Sequence, residues 1–294
     1  MSGDAAGRRV LIIGAGRMGR GVGLALAREG VDVRLLSRTR REVVAPVESR
    51  PAEGDTIASA AAACDLVLLA VPDDAIVALA AELGQGSALG ARHTVLHFSG
   101  LLDRTALFGL AATGAALGSF HPLQTIADPA TAPERLRGAY AAIEGDGAAL
   151  ESARWLAARL GMEPVVIPAA GKPAYHAGAT IVANYTVALL GLAERLALAA
   201  GVGPEVAGRL YLPLLRGAVA NLEQLGAVHA LTGPIRRGDV RTIAAHLATL
   251  DEGTAELYRL VGLEALALAR QAGLEESAAR LVEQALTERP RDGA

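Results

Sequence analysis

Apolar residues in the first half of the chain form short continuous runs, and helix-like segments separate these runs. The runs at 10–13 and 66–71 are aliphatic throughout, which is typical of strands buried on both faces of a parallel sheet. Between the runs, apolar positions recur at the three- and four-residue spacing of an amphipathic helix. This alternation over residues 1–168 predicts an α/β fold with a doubly wound, mostly parallel sheet.

The second half of the chain, residues 169–294, has no strand pattern and is predicted to form an all-α domain. The expected elements are a long helix over about 173–200, a helix over 204–226 that Pro213 kinks, a loop over 231–239 and three further helices. The change of pattern near residue 168 predicts the boundary between the two domains.

Two segments depart from these patterns, one because it lacks charged residues and the other because it lacks periodicity. Residues 173–193 contain no Asp, Glu, Lys or Arg, but their tyrosine, histidine and asparagine side chains argue against a membrane span. We therefore predict a buried central helix there. Residues 41–55 lack periodicity and contain two prolines and a glycine, so we predict a loop; a third strand is the open alternative, but the pattern does not place it.

A glycine-rich motif, Gly14-Ala15-Gly16-Arg17-Met18-Gly19, follows the first strand and precedes the first helix. In this context the glycines permit a tight turn, a close approach of the backbone to a pyrophosphate, and close packing of helix on strand. The N–H groups of Arg17 and Met18, at the positive end of the helix dipole, would face the phosphates. The motif predicts a Rossmann dinucleotide-binding domain.

The end of the second strand bears on which dinucleotide binds. An NAD site usually has an Asp or Glu there to accept from the ribose 2′-hydroxyl. This chain instead has Ser37, Arg38 and Arg41, with no carboxylate before Glu42. A hydroxyl and guanidinium groups suit a 2′-phosphate, so we predict NADP(H), the alternative being a solvent-exposed basic loop.

Ligands of such sheets bind beyond the carboxyl ends of the strands. Val71 and Pro72 follow one strand, and we expect them to contact the cofactor. Ser99 follows the next, and we expect its hydroxyl to contact the nicotinamide. His121 follows a further strand and precedes a proline, which predicts that it lines the catalytic site.

The long helix carries four polar residues at four-residue spacing: Lys172, His176, Thr180 and Asn184. Such spacing places side chains on one face. A hydride acceptor needs a nearby proton donor, so we expect Lys172 or His176 to donate, Asn184 to orient the substrate and Thr180 to contact it. The alternative is a polar stripe in a helix–helix or subunit interface.

Arg236, in the loop over 231–239, is expected to bind a substrate carboxylate, unless it is simply solvated. A net charge of −3 and 3% aromatic residues give no basis for nucleic-acid binding. His93 and His97 have no third ligand nearby in sequence, so no metal site is expected. Cys64 is the single cysteine, and the N-terminus has no secretory pattern, so we expect a cytoplasmic protein.

The chain resembles the Rossmann-like proteins with a DUF2520 C-terminal domain. The resemblance rests on the segments 97–100, 119–125, 172–184 and 231–239. It implies the architecture of the 6-phosphogluconate dehydrogenase-like reductases, which include ketopantoate and pyrroline-5-carboxylate reductases, and a homodimer formed through the helical domains. Reductases of this kind have a Lys followed by Asn on the corresponding helix. Here His176 and Thr180 follow Lys172 and Asn184 comes late, so the proton donor stays open between Lys172 and His176.

These observations lead to two hypotheses. The first is an NADPH-dependent oxidoreductase that transfers a hydride to a small 2-oxo acid, ketopantoate-like, or to a cyclic imine carboxylate. The second is a non-catalytic NADP(H)-binding regulatory or interaction protein. The polar stripe on the long helix favours the enzyme, because a sensor needs no proton donor.

Overall fold

The computed structural model describes residues 7–37, 47, 49–51 and 54–288. They form two compact units, the first ending at Val187 and the second beginning at Ala188. Within the described residues of the first unit, the strands are β1 (Arg9–Ile13), β2 (Asp32–Ser37), β3 (Ser49–Pro51), β4 (Leu66–Leu69), β5 (Thr94–His97), β6 (Ala116–Pro122), β7 (Tyr140–Gly145) and β8 (Glu163–Val166).

These strands form one sheet in the order β3-β2-β1-β4-β5-β6-β7-β8. All neighbours are parallel except β6 and β7. The predicted doubly wound, mostly parallel sheet is confirmed. Its register aligns Ile13 of β1 with Leu69 of β4, Leu69 with His97 of β5, and His97 with Ser119 of β6.

Helices cover both faces of the sheet. The helical elements of the first unit are α1 (Arg17–Arg28), α2 (Gly54–Ala62), α3 (Asp73–Gly84), α4 (Ala132–Leu136), α5 (Gly147–Leu160), α6 (Lys172–Thr180), a π-helical segment (Ile181–Tyr185) and 3₁₀ helices at Arg104–Thr113, Pro129–Thr131 and Ala169–Gly171. Alternate residues of β1 enter different cores: Val10 and Ile12 pack on one face, Leu11 and Ile13 on the other. Burial of each such side chain contributes roughly 1.5–3 kcal/mol.

Two features of the sheet differ from expectation. The segment 41–55, predicted as a loop, contains the short strand β3. Beyond β6 the chain turns back, so β7 is antiparallel rather than a continuation of the parallel order. The connection between them holds only a 3₁₀ turn and the five-residue α4, and it packs on α1, where Gly21 lies close to Ala132. Such a connection does not supply the long crossover helix that a parallel pair requires.

The second unit is helical throughout its described residues. The helix α7 (Thr186–Ala199) runs across the boundary between the units. It is followed by α8 (Pro204–Leu210), α9 (Leu212–Ala230), α10 (Pro234–Arg237), α11 (Val240–Leu247), α12 (Glu252–Gln271) and α13 (Glu276–Thr287). A small core joins the last four helices through Ile235, Ile243, Leu266, Val282 and Leu286. The helix is interrupted at Tyr211, close to the expected kink at Pro213. A second interruption lies at Gly226, where φ is 70°.

The prediction of a buried central helix over 173–193 is wrong for this chain by itself. Ile181, Val182 and Val187 are 57%, 74% and 70% exposed, and Ala197 is the buried residue of α7. By length and composition, 169–199 is the one segment among the described residues that meets the criteria for a membrane span, with a mean hydropathy of 1.4. One such helix is weak evidence, and its buried Lys172 is a costly residue for a bilayer.

Candidate active site

The glycine motif forms a tight turn between β1 and α1. Gly14 has a φ of 117°, and a Cβ built there would lie 2.2 Å from the carbonyl oxygen of Ala70. A Cβ at Gly19 would lie 2.0 Å from the carbonyl oxygen of Gly14. Neither position can hold a larger residue without moving backbone, so the turn closes tightly onto the end of β4.

Gly16 differs from Gly14 and Gly19 because the space beside it is open. Apart from Gly16 itself and the chain next to it, no described heavy atom lies within 4 Å of the place where its Cβ would stand. It is the N-cap of α1, and within the described part of the chain no side chain caps this terminus and no acidic residue occupies the first turn. The N–H groups at Arg17 and Met18 are therefore left for an anion, and the residues present fit a pyrophosphate.

The remaining predicted cofactor residues are only partly described. Ser37 is buried at the end of β2, and Val71 lies beside the glycine turn, with its Cγ1 3.2 Å from the Cβ position of Gly14. Pro72 is the N-cap of α3. Arg38 and Arg41 lie outside the described residues, so their contact with a 2′-phosphate stays a prediction.

A second group of polar side chains lies at the same edge of the sheet, on β5, β6 and α6. The aligned strand ends place β6 three strands from β1, a separation of about 14 Å. Lys172 is only 2% exposed, and its Nζ donates to Ser119 Oγ at 2.7 Å and to the carbonyl oxygen of Ser99 at 3.4 Å. Burial lowers the pKa of Lys172, while the carboxylates of Glu144, Asp103 and Asp73 act in the opposite direction.

The expected contact between the Ser99 hydroxyl and the nicotinamide is not supported. Ser99 Oγ donates to Asp73 Oδ2 at 2.7 Å and accepts from the N–H groups of Leu101 and Leu102 at 3.1 and 2.9 Å. One donor and two acceptor positions are the full capacity of a hydroxyl. Ser99 thus shapes the turn after β5, and its hydroxyl has no capacity left for the nicotinamide.

Two imidazole rings lie against Gly100, and Tyr175 is hydrogen bonded to one of them. His121 Nδ1 and the Tyr175 hydroxyl are hydrogen bonded at 2.8 Å, and the rings of His121 and His176 meet edge-on at a centroid distance of 5.8 Å. A Cβ at Gly100 would lie 2.6 Å from His176 Cδ2 and 2.9 Å from His121 Cε1. All three aromatic residues are partly exposed, unlike Lys172. Tyr175 was not among the predicted site residues, although it adjoins His176 in sequence.

The electrostatics of this cluster set its protonation. Burial lowers the pKa of His121 to about 4, with smaller contributions from His176 and Lys172. Burial also raises the pKa of Tyr175 to about 12. At neutral pH the imidazole of His121 is therefore uncharged and the phenol of Tyr175 keeps its proton.

The predicted stripe on the long helix does not continue along one face. Thr180 Oγ1 donates to the carbonyl oxygen of His176 at 3.1 Å, a bond internal to the helix. The π-helical segment over Ile181–Tyr185 then begins, and its wider turn changes the direction of every later side chain. Asn184 lies within this segment and is exposed. The α-helical spacing that would place these side chains on one face thus extends over Lys172 and His176 but does not reach Asn184.

Arg236 also differs from expectation. Its Nη2 donates to the carbonyl oxygen of Ala272 at 3.0 Å, at the C-terminal end of α12. A cation in this position satisfies an unpaired carbonyl and the negative end of the helix dipole. Arg236 thus binds its own fold instead of standing free for a substrate carboxylate. Among the described residues, no group of three potential ligands could hold a metal ion.

Two family models match the chain. The model of the NAD binding domain of 6-phosphogluconate dehydrogenase matches residues 9–94, which contain the glycine turn, and the DUF2520 model, a domain of unknown function, matches residues 139–265. This chain is a Rossmann-like protein with a DUF2520 domain. The DUF2520 match begins just before β7, so it includes α6 and its Lys172–His176 segment.

Solved structures with this fold include reductases. A Bacteroides fragilis protein described as an NADP oxidoreductase is 20% identical, with a TM-score of 0.66 over 90% of this chain and 97% of that chain. A Thermotoga maritima protein is 22% identical, with a TM-score of 0.62 over 92% and 98%. The Plasmodium falciparum pyrroline carboxylate reductase, solved with NADP bound, is 12% identical, with a TM-score of 0.57 over 95% and 98%. No curated protein matches the chain. The DUF2520 protein thus has the fold of NAD(P)-dependent oxidoreductases.

Proposed function

We propose that this DUF2520 protein is an NADPH-dependent oxidoreductase that reduces a small 2-oxo acid, ketopantoate-like, or a cyclic imine carboxylate. One observation carries the proposal. The open glycine turn at Gly16 and the partly exposed cluster at Gly100 lie at the carboxyl edge of one sheet, across aligned strands. A dinucleotide that enters at the first reaches toward the second.

The chain's own groups suit such a reaction. Bound NADPH would supply a hydride to the substrate carbon. The charge that develops on the substrate oxygen or nitrogen then needs a proton from the protein. His121, Tyr175 and His176 are the partly exposed proton-bearing groups around Gly100. The buried Lys172 holds Ser119 and the Ser99 carbonyl, which fixes the turn that presents Gly100.

The preference for the phosphorylated cofactor rests on Ser37, Arg38 and Arg41. The NADP in the Plasmodium falciparum structure and the description of the Bacteroides fragilis protein support it. We expect Arg38→Asp to weaken NADPH binding much more than NADH binding, because it replaces a phosphate-binding cation by a carboxylate that suits a 2′-hydroxyl. Equal affinity of the unmodified protein for the two cofactors would contradict the preference.

We also propose a cytoplasmic homodimer formed through helices of the C-terminal half. The helix α9 has nineteen residues and none is buried, and Leu214, Leu222 and Leu225 are 71%, 48% and 53% exposed. Apolar surface on this scale marks an interaction site. Sedimentation of the purified protein should show a dimer that Leu214→Glu with Leu225→Glu dissociates. A monomer in sedimentation would contradict the proposed dimer.

The function is tested by titrating NADPH into the protein and then adding a panel of 2-oxo acids and cyclic imines. We expect NADPH binding, and loss of the absorbance of the reduced nicotinamide with at least one member of the panel. Tight NADPH binding with no oxidation by any of them would favour a regulatory NADP(H)-binding protein.

A further inference from the structure

We propose that Tyr175 transfers the proton to the reduced substrate and that His121 is its positioning residue. The assignment rests on the proposed reductase function and goes beyond it, because neither the fold nor the family match assigns a proton donor. It is drawn from the contacts around Gly100, where the sequence had left the donor open between Lys172 and His176.

Lys172 and Tyr175 differ in how accessible they are to a substrate. A donor must touch the substrate, and Lys172 is 2% exposed with its ammonium group bonded to Ser119 and to the Ser99 carbonyl. Moving it to a substrate would leave two buried acceptors without their donor, which is unfavourable. Tyr175 is partly exposed and its hydroxyl needs no such movement.

A hydrogen bond joins Tyr175 and His121, at 2.8 Å. With the imidazole hydrogen on Nδ1, His121 donates to the phenol oxygen, so the phenol proton points away and is free to be transferred. The same N–H then stabilises the phenolate that forms, since hydrogen bonds to ionised oxygen are about twice as strong as neutral ones. His121 itself is uncharged at neutral pH and has no acidic proton to give.

His176 packs beside His121. Its ring lies edge-on to His121 and against Gly100, and its backbone carbonyl accepts from Thr180. The His176 ring therefore packs against the edge of the His121 ring, and both rings lie against Gly100, which has no side chain. We assign His176 to the wall of the site, where it fixes the direction in which His121 points.

The reaction balances with these groups. Bound NADPH would supply a hydride and become NADP+, so that a C–H bond would form at the substrate carbon while the π bond to oxygen or nitrogen breaks. The proton on Tyr175 Oη forms the new O–H or N–H bond. The resulting phenolate then takes a proton from water, which restores the starting state.

The test compares Tyr175→Phe with Tyr258→Phe, a matched control because Tyr258 also has a hydrogen bond to a histidine. Tyr175→Phe should lower kcat by roughly 100- to 10,000-fold, the range of general acid catalysis, with NADPH affinity changed less than about twofold. Tyr258→Phe should keep the wild-type rate. His121→Asn, which retains an N–H donor near Nδ1, should keep more activity than His121→Leu.

The pH profile separates Tyr175 from His176. The charged or titratable groups that influence the pair are His176, Lys172 and Asp73. With Tyr175 as donor, kcat stays flat from about pH 6 to pH 9, because its pKa is about 12. A donor that loses its proton within this range, as an ordinary imidazolium does, would instead make the rate fall tenfold per pH unit above that point.

The outcomes separate this proposal from the function on which it rests. A wild type that does not bind NADPH, or that binds it without turnover, overturns both. A wild type that turns over while Tyr175→Phe remains fully active overturns the donor assignment alone. Loss of activity in Tyr175→Phe with a flat wild-type profile supports both.

Discussion

The described residues contain two histidine–tyrosine pairs of almost the same geometry, one in each unit. In the sheet-bearing unit, His121 Nδ1 and Tyr175 Oη are 2.8 Å apart, with ring centroids at 5.7 Å and planes at 86°. In the helical unit, His246 Nδ1 and Tyr258 Oη are 2.9 Å apart, with centroids at 5.8 Å and planes at 85°. The bond itself therefore does not distinguish a reactive pair from a structural one.

The surroundings differ. Lys172 and Asp73 both act on His121, whose burial brings its pKa to about 4. His246 is exposed, and the pair lines an apolar cavity of about 960 Å³ in the helical unit, in which no lining residue is charged. Because a proton donor needs charge stabilisation at the moment of transfer, the first pair is suited to chemistry and the second to joining α11 with α12.

Apart from loss of the proposed donor itself, the largest effect on this contrast is expected from Gly100→Ala. The added Cβ would press on His176 and His121, and it cannot be accommodated without displacing those rings. We expect kcat to fall about 100-fold, since a displacement of about 1 Å at a reacting group has this effect. Rapid-mixing measurements of NADPH oxidation would show it.

The control is Gly253→Ala in α12, where the nearest atom to a built Cβ is 3.6 Å away. It should leave kcat unchanged. If Gly100→Ala were as active as this control, the cluster at Gly100 would have no part in the reaction.

A smaller effect concerns stability in acid. His97 is fully buried, its Nε2 bonds the carbonyl oxygen of Asp103, and burial lowers its pKa to about 4. Below about pH 6.5 the unfolded chain binds a proton that the folded state refuses, so stability falls as the pH drops toward 4. Between pH 7 and pH 5 the loss should be about 2 kcal/mol from this group.

Urea unfolding at both pH values would measure this loss. The variant His97→Gln should be less stable than wild type at pH 7 but should lose less between pH 7 and pH 5. An identical loss in both proteins would show that His97 is not held neutral by the fold.

The smallest expected effect is on the stability of the two tyrosine variants. Tyr175→Phe removes a partly buried hydrogen bond and should cost about 1 kcal/mol, which leaves the protein folded. Tyr258→Phe removes a bond to an exposed histidine and should cost less than about 0.5 kcal/mol. Thermal unfolding of both variants checks this order, and a reversal would contradict the difference in burial.

Much of the sheet could be predicted from the sequence, because its strands and the glycine turn have recognisable patterns. The aliphatic runs at β1 and β4 are typical of buried parallel strands, and the glycine motif lies where the turn closes on Ala70. Sequence reasoning could not place β3, whose three residues are too few to show a period, and it did not predict the reversed direction of β7, which depends on how the connecting segment packs.

The site was harder to predict because spacing does not reveal burial. Lys172 and His176 occupy neighbouring turns of α6. The ammonium group of Lys172 is nevertheless buried against Ser119, whereas the side chain of His176 is partly exposed. No local pattern distinguishes the π-helical segment that redirects Asn184. Tyr175 was missed because its role depends on His121, which lies 54 residues earlier in the chain and meets it only in the fold.

The most direct test of the central claim is a crystal structure of the protein with NADP bound. The account predicts the pyrophosphate about 3 Å from the N–H groups at the start of α1, with the nicotinamide ring against Gly100 and facing the Tyr175 hydroxyl. A dinucleotide bound in the apolar cavity of the helical unit, or a nicotinamide ring turned away from Tyr175 into solvent, would contradict it.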